Sequence, residues 1–209
     1  MSNDEVEALV KRYFSKEGYT FPDNFEHRVD PDSSAVIYSF IRDFKPKTCL
    51  QIGCWEGGTT CIIMAALLKN ELPFRFEASE LLADKAYNTI RHVMEKCGKT
   101  PGMMSDITCN LKHVPEEIDF LFHDTDHDLE TTKWVVDNIF PRLKDGALVI
   151  LHDWAVQDIK GKWVAKTGAW PETEYLIELH DKGQLPLEKV YWNYGNPNIW
   201  ELGVFKYRP

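Results

Sequence analysis

Three things are scarce in this 209-residue chain: cations, paired cysteines and long apolar runs. Lys and Arg total 24 against 33 Asp and Glu, a formal charge of −9. A binder of phosphate backbones or anionic membrane surfaces carries the opposite balance, so neither nucleic acid nor membrane is expected as a partner. The five cysteines, Cys49, Cys54, Cys61, Cys97 and Cys109, are an odd number without CxxC spacing. They read as reduced thiols, mostly buried small hydrophobes, and predict a cytoplasmic protein. The longest wholly apolar run is Cys61–Leu68, too short to span a bilayer. The first twenty residues are charged throughout and hold no signal-peptide core. Repeats, low-complexity tracts and dividing linkers are also absent. What is present, 44% hydrophobic and 27% charged residues, predicts one globular domain over residues 1–209. A domain of this length hides roughly 70% of its unfolded surface and needs no staples.

Two helical stretches come first. Asp4–Lys16 places Val6, Leu9, Val10, Tyr13 and Phe14 at helical spacing, and Ser34–Phe44 does the same with Val36, Ile37, Phe40, Ile41 and Phe44. Residues 1–45 are thus expected to form a helical cap that covers an acceptor or makes a homodimer contact. From residue 47 short apolar runs alternate with helices. Strands are predicted at Thr48–Ile52, Phe74–Ser79, Gly102–Ser105, Ile118–His123 and Ala147–Leu151. Helices are predicted at Thr59–Lys69, Leu82–Cys97 and Leu129–Leu143, the last with Trp134, Val135, Ile139 and Leu143 inward. Ala147–Leu151 is wholly apolar, as a strand buried on both faces should be. The alternation predicts an α/β, doubly wound, mostly parallel sheet. After a helix at Pro171–Lys182, the runs Leu187–Tyr194 and Trp200–Tyr207 flank a Gly195–Asn198 turn. They predict an antiparallel hairpin that brings the sheet to seven strands.

The first strand runs into Gly53-Cys54-Trp55-Glu56-Gly57-Gly58-Thr59-Thr60 and then a helix. Glycines permit a tight turn and a close backbone approach, and the helix start offers N–H groups to an anion. The spacing is GxxxGG rather than GxGxxG, and Glu56 would repel a pyrophosphate. That disfavours a dinucleotide but not a zwitterionic or cationic ligand. Glu80 ends the second strand, where an acid accepts both hydroxyls of a ribose. Its plainer reading is a helix N-cap, for which Asp, Asn, Ser or Thr would serve better.

Strand four opens into His123-Asp124-Thr125-Asp126-His127-Asp128, and strand five into His152-Asp153-Trp154. In an open parallel sheet all strand C-termini share one edge, so these segments are expected to converge with Gly53–Thr59 and Glu80. A rim rich in carboxylates attracts a sulfonium or a divalent ion. Asp124, His152 and Asp153 are candidate ligands for Mg²⁺ or another divalent metal. His127 is the natural general base, since its ordinary pKa lies near neutrality. The plainer readings are helix caps for Asp126 and Asp128 and a packed histidine for His123.

Together these segments resemble the class I AdoMet-dependent methyltransferases, with a closer match to the small O-methyltransferases of the catechol O-methyltransferase type and their bacterial sugar- and antibiotic-modifying relatives. The carriers are Leu50–Thr60, Asp119–His127, Leu143–Gly146, Leu151–Trp154 and Leu202–Phe205. The resemblance implies a Rossmann-like fold and S-adenosylmethionine as cofactor. It places Gly53, Trp55 and Gly57 along the methionine half, Thr59 at the carboxylate, Glu80 at the ribose and Asp106 by the adenine. Asp124, His152 and Asp153 match the family's metal positions, and His127 falls where catechol-type members place a lysine base. Two departures stand out: Gln51 replaces the usual Glu before the glycine loop, and His152 replaces Asp.

The expected reaction moves a methyl group to a hydroxyl of a small molecule, with Asp124, Asp153 and His127 as the catalytic set. Trp154, Trp163 and Trp170 either wall the acceptor on a mobile segment or pack the C-terminal helix. Competing readings are a metal-dependent nucleotide-sugar transferase using Asp124-Thr125-Asp126, an NAD-type oxidoreductase, and an AdoMet-binding protein without transferase activity.

Overall fold

The strands take their places because their side chains alternate between two cores. In a computed structural model, residues 1–16, 29–54, 57–79, 107–108, 114–125, 127–192 and 202–209 are described. Seven strands form one sheet in the order β3-β2-β1-β4-β5-β9-β8. They are β1 (Thr48–Ile52), β2 (Arg75–Ser79), β3 (Ile107–Thr108), β4 (Ile118–His123), β5 (Leu143–Leu151), β8 (Leu187–Trp192) and β9 (Gly203–Tyr207). The first five pair in parallel; β9 runs antiparallel to both β5 and β8. The doubly wound α/β architecture and the antiparallel C-terminal pair are therefore as expected.

Cys49, Phe76, Phe120, Phe122, Leu148 and Ile150 face one core, together with Ile37 and Ile41 of α2 (Pro31–Phe44) and Ile62, Ile63 and Leu67 of α3 (Gly58–Lys69). Their sequence neighbours Leu50, Leu121, Val149 and Leu151 face the other core. There they meet Val135 of α4 (Leu129–Asn138) and Leu176 and Ile177 of α5 (Pro171–Asp181). A period of two on strands covered on both faces requires apolar residues at successive positions, which is what Phe120–Phe122 of β4 and Ala147–Leu151 of β5 supply. Each fully buried Leu, Ile or Phe contributes roughly 1.5–3 kcal/mol.

The N-terminal cap consists of α1 (Asn3–Val10), a π-helical turn at Lys11–Ser15, and α2. A capping box between Ser2 and Glu5 starts α1, and Asp30 caps α2. The Met1 ammonium donates to the Val190 carbonyl on β8, so the cap covers an edge of the sheet. At the opposite end from the strand tips, Asp119 Oδ2 accepts the N–H groups of Lys47 and Thr48, each at 3.0 Å, and Lys144 Nζ lies 3.1 Å from Oδ1.

Three expectations change. The helix expected over Leu129–Leu143 ends at Asn138, because Pro141 has no N–H for a further helical bond; a 3₁₀ turn, Phe140–Arg142, leads into β5. The inward stripe is Thr132, Val135 and Ile139, which leaves Trp134 41% exposed. The segment after β5, expected to be mobile, is an antiparallel hairpin of β6 (Val156–Ile159) and β7 (Lys162–Ala165). Lys160 and Gly161 both take positive φ at its two-residue turn, matching the strand twist. Among the described residues no helix is long and apolar enough to cross a membrane. The expected Leu82–Cys97 helix, the Gly102–Ser105 strand and the Gly195–Asn198 turn lie outside the described residues.

Candidate active site

Parallel register delivers the site. Ile52 pairs with Ser79 on one side and His123 on the other, and His123 pairs with Leu151. The ladder continues one residue further: Gly53 N–H donates to Ser79 O, Asp124 N–H to Ile52 O, and His152 N–H to His123 O, at 2.9, 2.9 and 3.0 Å. Gly53, Asp124 and His152 therefore leave their strands side by side on one rim. The strand order reverses between β1 and β4, so the rim includes the topological switch point where open α/β sheets bind ligands.

Gly53 holds φ 83°, and a Cβ there would stand 1.5 Å from the carbonyl oxygen of Asp124. Only glycine lets the two loops touch. Gln51 is fully buried and its Nε2 donates to Gly53 O at 2.9 Å, so the residue that replaces the family's Glu braces the turn. Gly57, at φ 90°, starts α3 without a side-chain cap, and Thr59 is buried in its first turn. The N–H groups of this turn point out of the helix end as anion donors do.

Asp124, His152 and Asp153 offer ligand atoms within 4.8 Å of one another. His152 Nδ1 lies 3.1 Å from Asp124 Oδ1 and 3.3 Å from Asp153 Oδ2. Burial alone would lower the pKa of His152. The Asp124 charge and hydrogen bond, with Asp153 beside them, outweigh it and push it up to about 10. His152 Nδ1 thus faces both carboxylates, and the oxygen–oxygen–imidazole donor set suits a divalent cation.

His127 joins the cluster from the loop before α4. Its Nε2 lies 3.1 Å from Asp153 Oδ2, and its Nδ1 lies 2.6 Å from Glu172 Oε1. Its ring stacks on Trp170, with centroids 4.3 Å apart and planes 1° from parallel. Behind these groups is a cavity of about 10 Å³, lined by His123, Asp124, His127, His152, Trp154 and Glu172 among others. It has room for about one water molecule. Burial lowers the pKa of His123 to about 4, so this imidazole is neutral and packed, as its plainer reading held. Asp128 is a helix cap: its Oδ2 accepts from Thr131 N–H and Oγ1–H.

The rim brings together Gly53, Gly57, Thr59, Asp124, His127, His152 and Asp153 from the sequence-derived candidates. Trp55, Glu80, Asp106 and Asp126 lie outside the described residues. The tryptophans divide. Trp154 and Trp163 are buried in the second core, Trp163 stacked on His180 of α5 at 3.4 Å; Trp170 is 47% exposed at the site. Glu172 escaped the sequence reading. An acid in the first turn of a helix has an ordinary explanation in the helix dipole, and nothing in the sequence ties it to a histidine 45 positions earlier.

The family described as "Methyltransferase domain" matches residues 50–154, half of the chain. No curated protein matches it significantly. Among solved structures, an O-methyltransferase from Bacillus cereus in complex with SAH is 13% identical, with a TM-score of 0.58, covering 99% of this chain and 92% of its own. The O-methyltransferase TomG from Streptomyces achromogenes, involved in tomaymycin synthesis and in complex with SAM, is 13% identical, with a TM-score of 0.59 and coverage of 100% and 92%. An SAH-bound methyltransferase from Podospora anserina is 16% identical, with a TM-score of 0.58 and coverage of 100% and 98%. At such identities the likeness is one of fold.

Proposed function

The chain belongs to the methyltransferase-domain family, and from that premise we propose that it transfers a methyl group from S-adenosylmethionine to a hydroxyl of a small molecule in the cytoplasm, with residues 1–209 acting as one catalytic domain. The observation that carries this reading is the contact of the Gly53 turn with the Asp124 loop at the switch point, beside Asp153 and His127. A donor lying along the glycine loop is then next to the groups that handle an acceptor. Fold neighbours whose structures hold SAH or SAM support the cofactor assignment.

In this reading Gly53, Trp55 and Gly57 line the methionine half of the cofactor, and the first turn of α3 at Thr59 takes its carboxylate. Glu80 holds the ribose and Asp106 lies by the adenine. Carboxylates at the rim favour the sulfonium electrostatically. The acceptor hydroxyl sits over Asp124 and Asp153. Its oxygen forms the new C–O bond in line as the C–S bond breaks, the bonding pair stays on sulfur, and the hydroxyl proton passes to His127 Nε2. Most of the acceleration comes from holding oxygen and methyl carbon near ~3 Å in line. A divalent cation held by Asp124, His152 and Asp153 would supply Lewis-acid polarisation of that hydroxyl.

The test is calorimetric titration with S-adenosylmethionine and S-adenosylhomocysteine, followed by mass spectrometry of a panel of sugars, catechols and other hydroxylated metabolites. Binding of both nucleosides and a gain of one methyl group on an acceptor oxygen are expected. Failure to bind either nucleoside would overturn the proposal.

A further inference from the structure

We propose that Glu172 is a positioning residue for His127: together with Trp170 it fixes the imidazole so that Nε2 is the nitrogen presented to the rim. This rests on the role given to His127 above. The start of α5 supplies two restraints from residues two positions apart. Trp170 stacks on the imidazole and fixes its plane. Glu172 Oε1, 2.6 Å from Nδ1, fixes the rotation of the ring within that plane. With Nδ1 engaged, the opposite nitrogen necessarily faces the cluster, where Asp153 Oδ2 lies 3.1 Å away. A hydroxyl that hydrogen-bonds to Asp153 therefore comes within reach of Nε2.

A purely structural role explains Glu172 poorly. The residue is buried, and its second oxygen, Oε2, has no hydrogen-bond partner among the described residues. A half-satisfied buried carboxylate is unfavourable, and an apolar side chain would pack α5 at least as well. His127 also holds φ 61°, a backbone conformation that survives only where its surroundings fix it. The arrangement follows the logic by which a carboxylate orients a catalytic histidine.

The experiment is ¹⁵N NMR of histidine-labelled full-length protein, with the His127 signals assigned through His127→Gln. In the parent, Nδ1 of His127 carries a proton. Glu172→Gln retains it, because the amide oxygen still accepts; Glu172→Leu shifts the population to the Nε2–H tautomer. In parallel, Glu172→Leu lowers kcat about 10- to 100-fold, as loss of an outer partner of a functional histidine does. Affinity for S-adenosylmethionine changes less than about 2-fold, and Glu172→Gln recovers most of the rate. Glu174→Gln, on the exposed side of the same helix, changes neither. A bare Nδ1 in the parent overturns the proposal, and so does a Glu172→Leu protein that keeps the parental tautomer and rate. If Glu172→Leu does not fold, judged by near-ultraviolet circular dichroism, the parent spectrum decides alone. Absence of nucleoside binding would fail the methyltransfer reading while leaving the spectroscopic result standing.

Discussion

His127 and Asp153 both hold left-handed backbone, at φ 61° and 51°, and their side chains meet with Nε2 and Oδ2 3.1 Å apart. Each such residue costs about 1–3 kcal/mol, and two facing each other mark a place where geometry is kept at the expense of stability. His127→Ala and Asp153→Asn are each expected to leave S-adenosylmethionine affinity within about 3-fold of the parent. Turnover should fall roughly 10²- to 10⁴-fold, the range for removal of a general base or its aligned partner. Calorimetry and a methyl-transfer assay on the same samples check this. Full turnover in both variants would remove these residues from the mechanism.

Gly53→Ala should affect stability and binding together. The new Cβ would stand 1.5 Å from Asp124 O at a φ of 83°. The Asp124 loop must move or the turn must open. A loss of at least about 2 kcal/mol in urea unfolding is expected, from backbone strain plus overpacking. Nucleoside affinity should drop at least about 10-fold. A variant with parental stability and affinity would show that the contact between the two loops does not shape the site.

The sheet was legible because its information is local. Phe120–Phe122 and Ala147–Leu151 are apolar on both faces, which places them in the middle of a parallel sheet. Convergence of Asp124, His127, His152 and Asp153 followed from the rule that parallel strands end on one edge. The partners of those residues were not legible. Trp170 and Glu172 reach His127 only because α5 packs over the same rim, a tertiary event with no sequence period. Trp134 was misassigned for a related reason: how wide a stripe of a helix faces the core is set by packing, and here it takes in Val135 and leaves out Trp134. The hairpin at Val156–Ala165 was hidden by its lysines, which mark the turn and the exposed face while Trp163 supplies the buried one.

Asp119 gives a pH dependence with a definite sign. Partial burial by itself would raise its pKa. The Thr48 N–H, the Lys144 ammonium and the Lys47 N–H outweigh that and hold it below the ordinary value of 3.8. A carboxyl depressed in the folded state stabilises the fold above its unfolded pKa, and that stabilisation is lost as pH falls through the folded one. Asp119→Asn should therefore cost about 1–2 kcal/mol at pH 7, since a neutral amide replaces charge-assisted hydrogen bonds. The gap between the two proteins should narrow as pH drops below about 4. Urea unfolding at pH 7 and below pH 4 checks this. A gap that widens on acidification would contradict the assigned interaction.

Divalent cations offer a test of the cluster that needs no methyl acceptor. Asp124, His152 and Asp153 gather three ligand atoms within 4.8 Å, and their mutual approach concentrates negative charge that a cation would neutralise. Binding to the folded state alone stabilises it by about 2.7 kcal/mol at a free concentration 100-fold above Kd. In a 209-residue chain this corresponds to a rise in Tm of roughly 5–10 °C. Differential scanning calorimetry with Mg²⁺, Mn²⁺ or Ca²⁺ after chelation is expected to show such a rise in the parent for at least one ion. Asp124→Asn should abolish it, because the site loses a charged oxygen ligand. Glu117→Gln should keep it, because Glu117 is exposed and precedes β4 at the other end of the strand. An unchanged Tm in the parent with every ion at millimolar concentration would overturn the assignment of a divalent cation to this cluster.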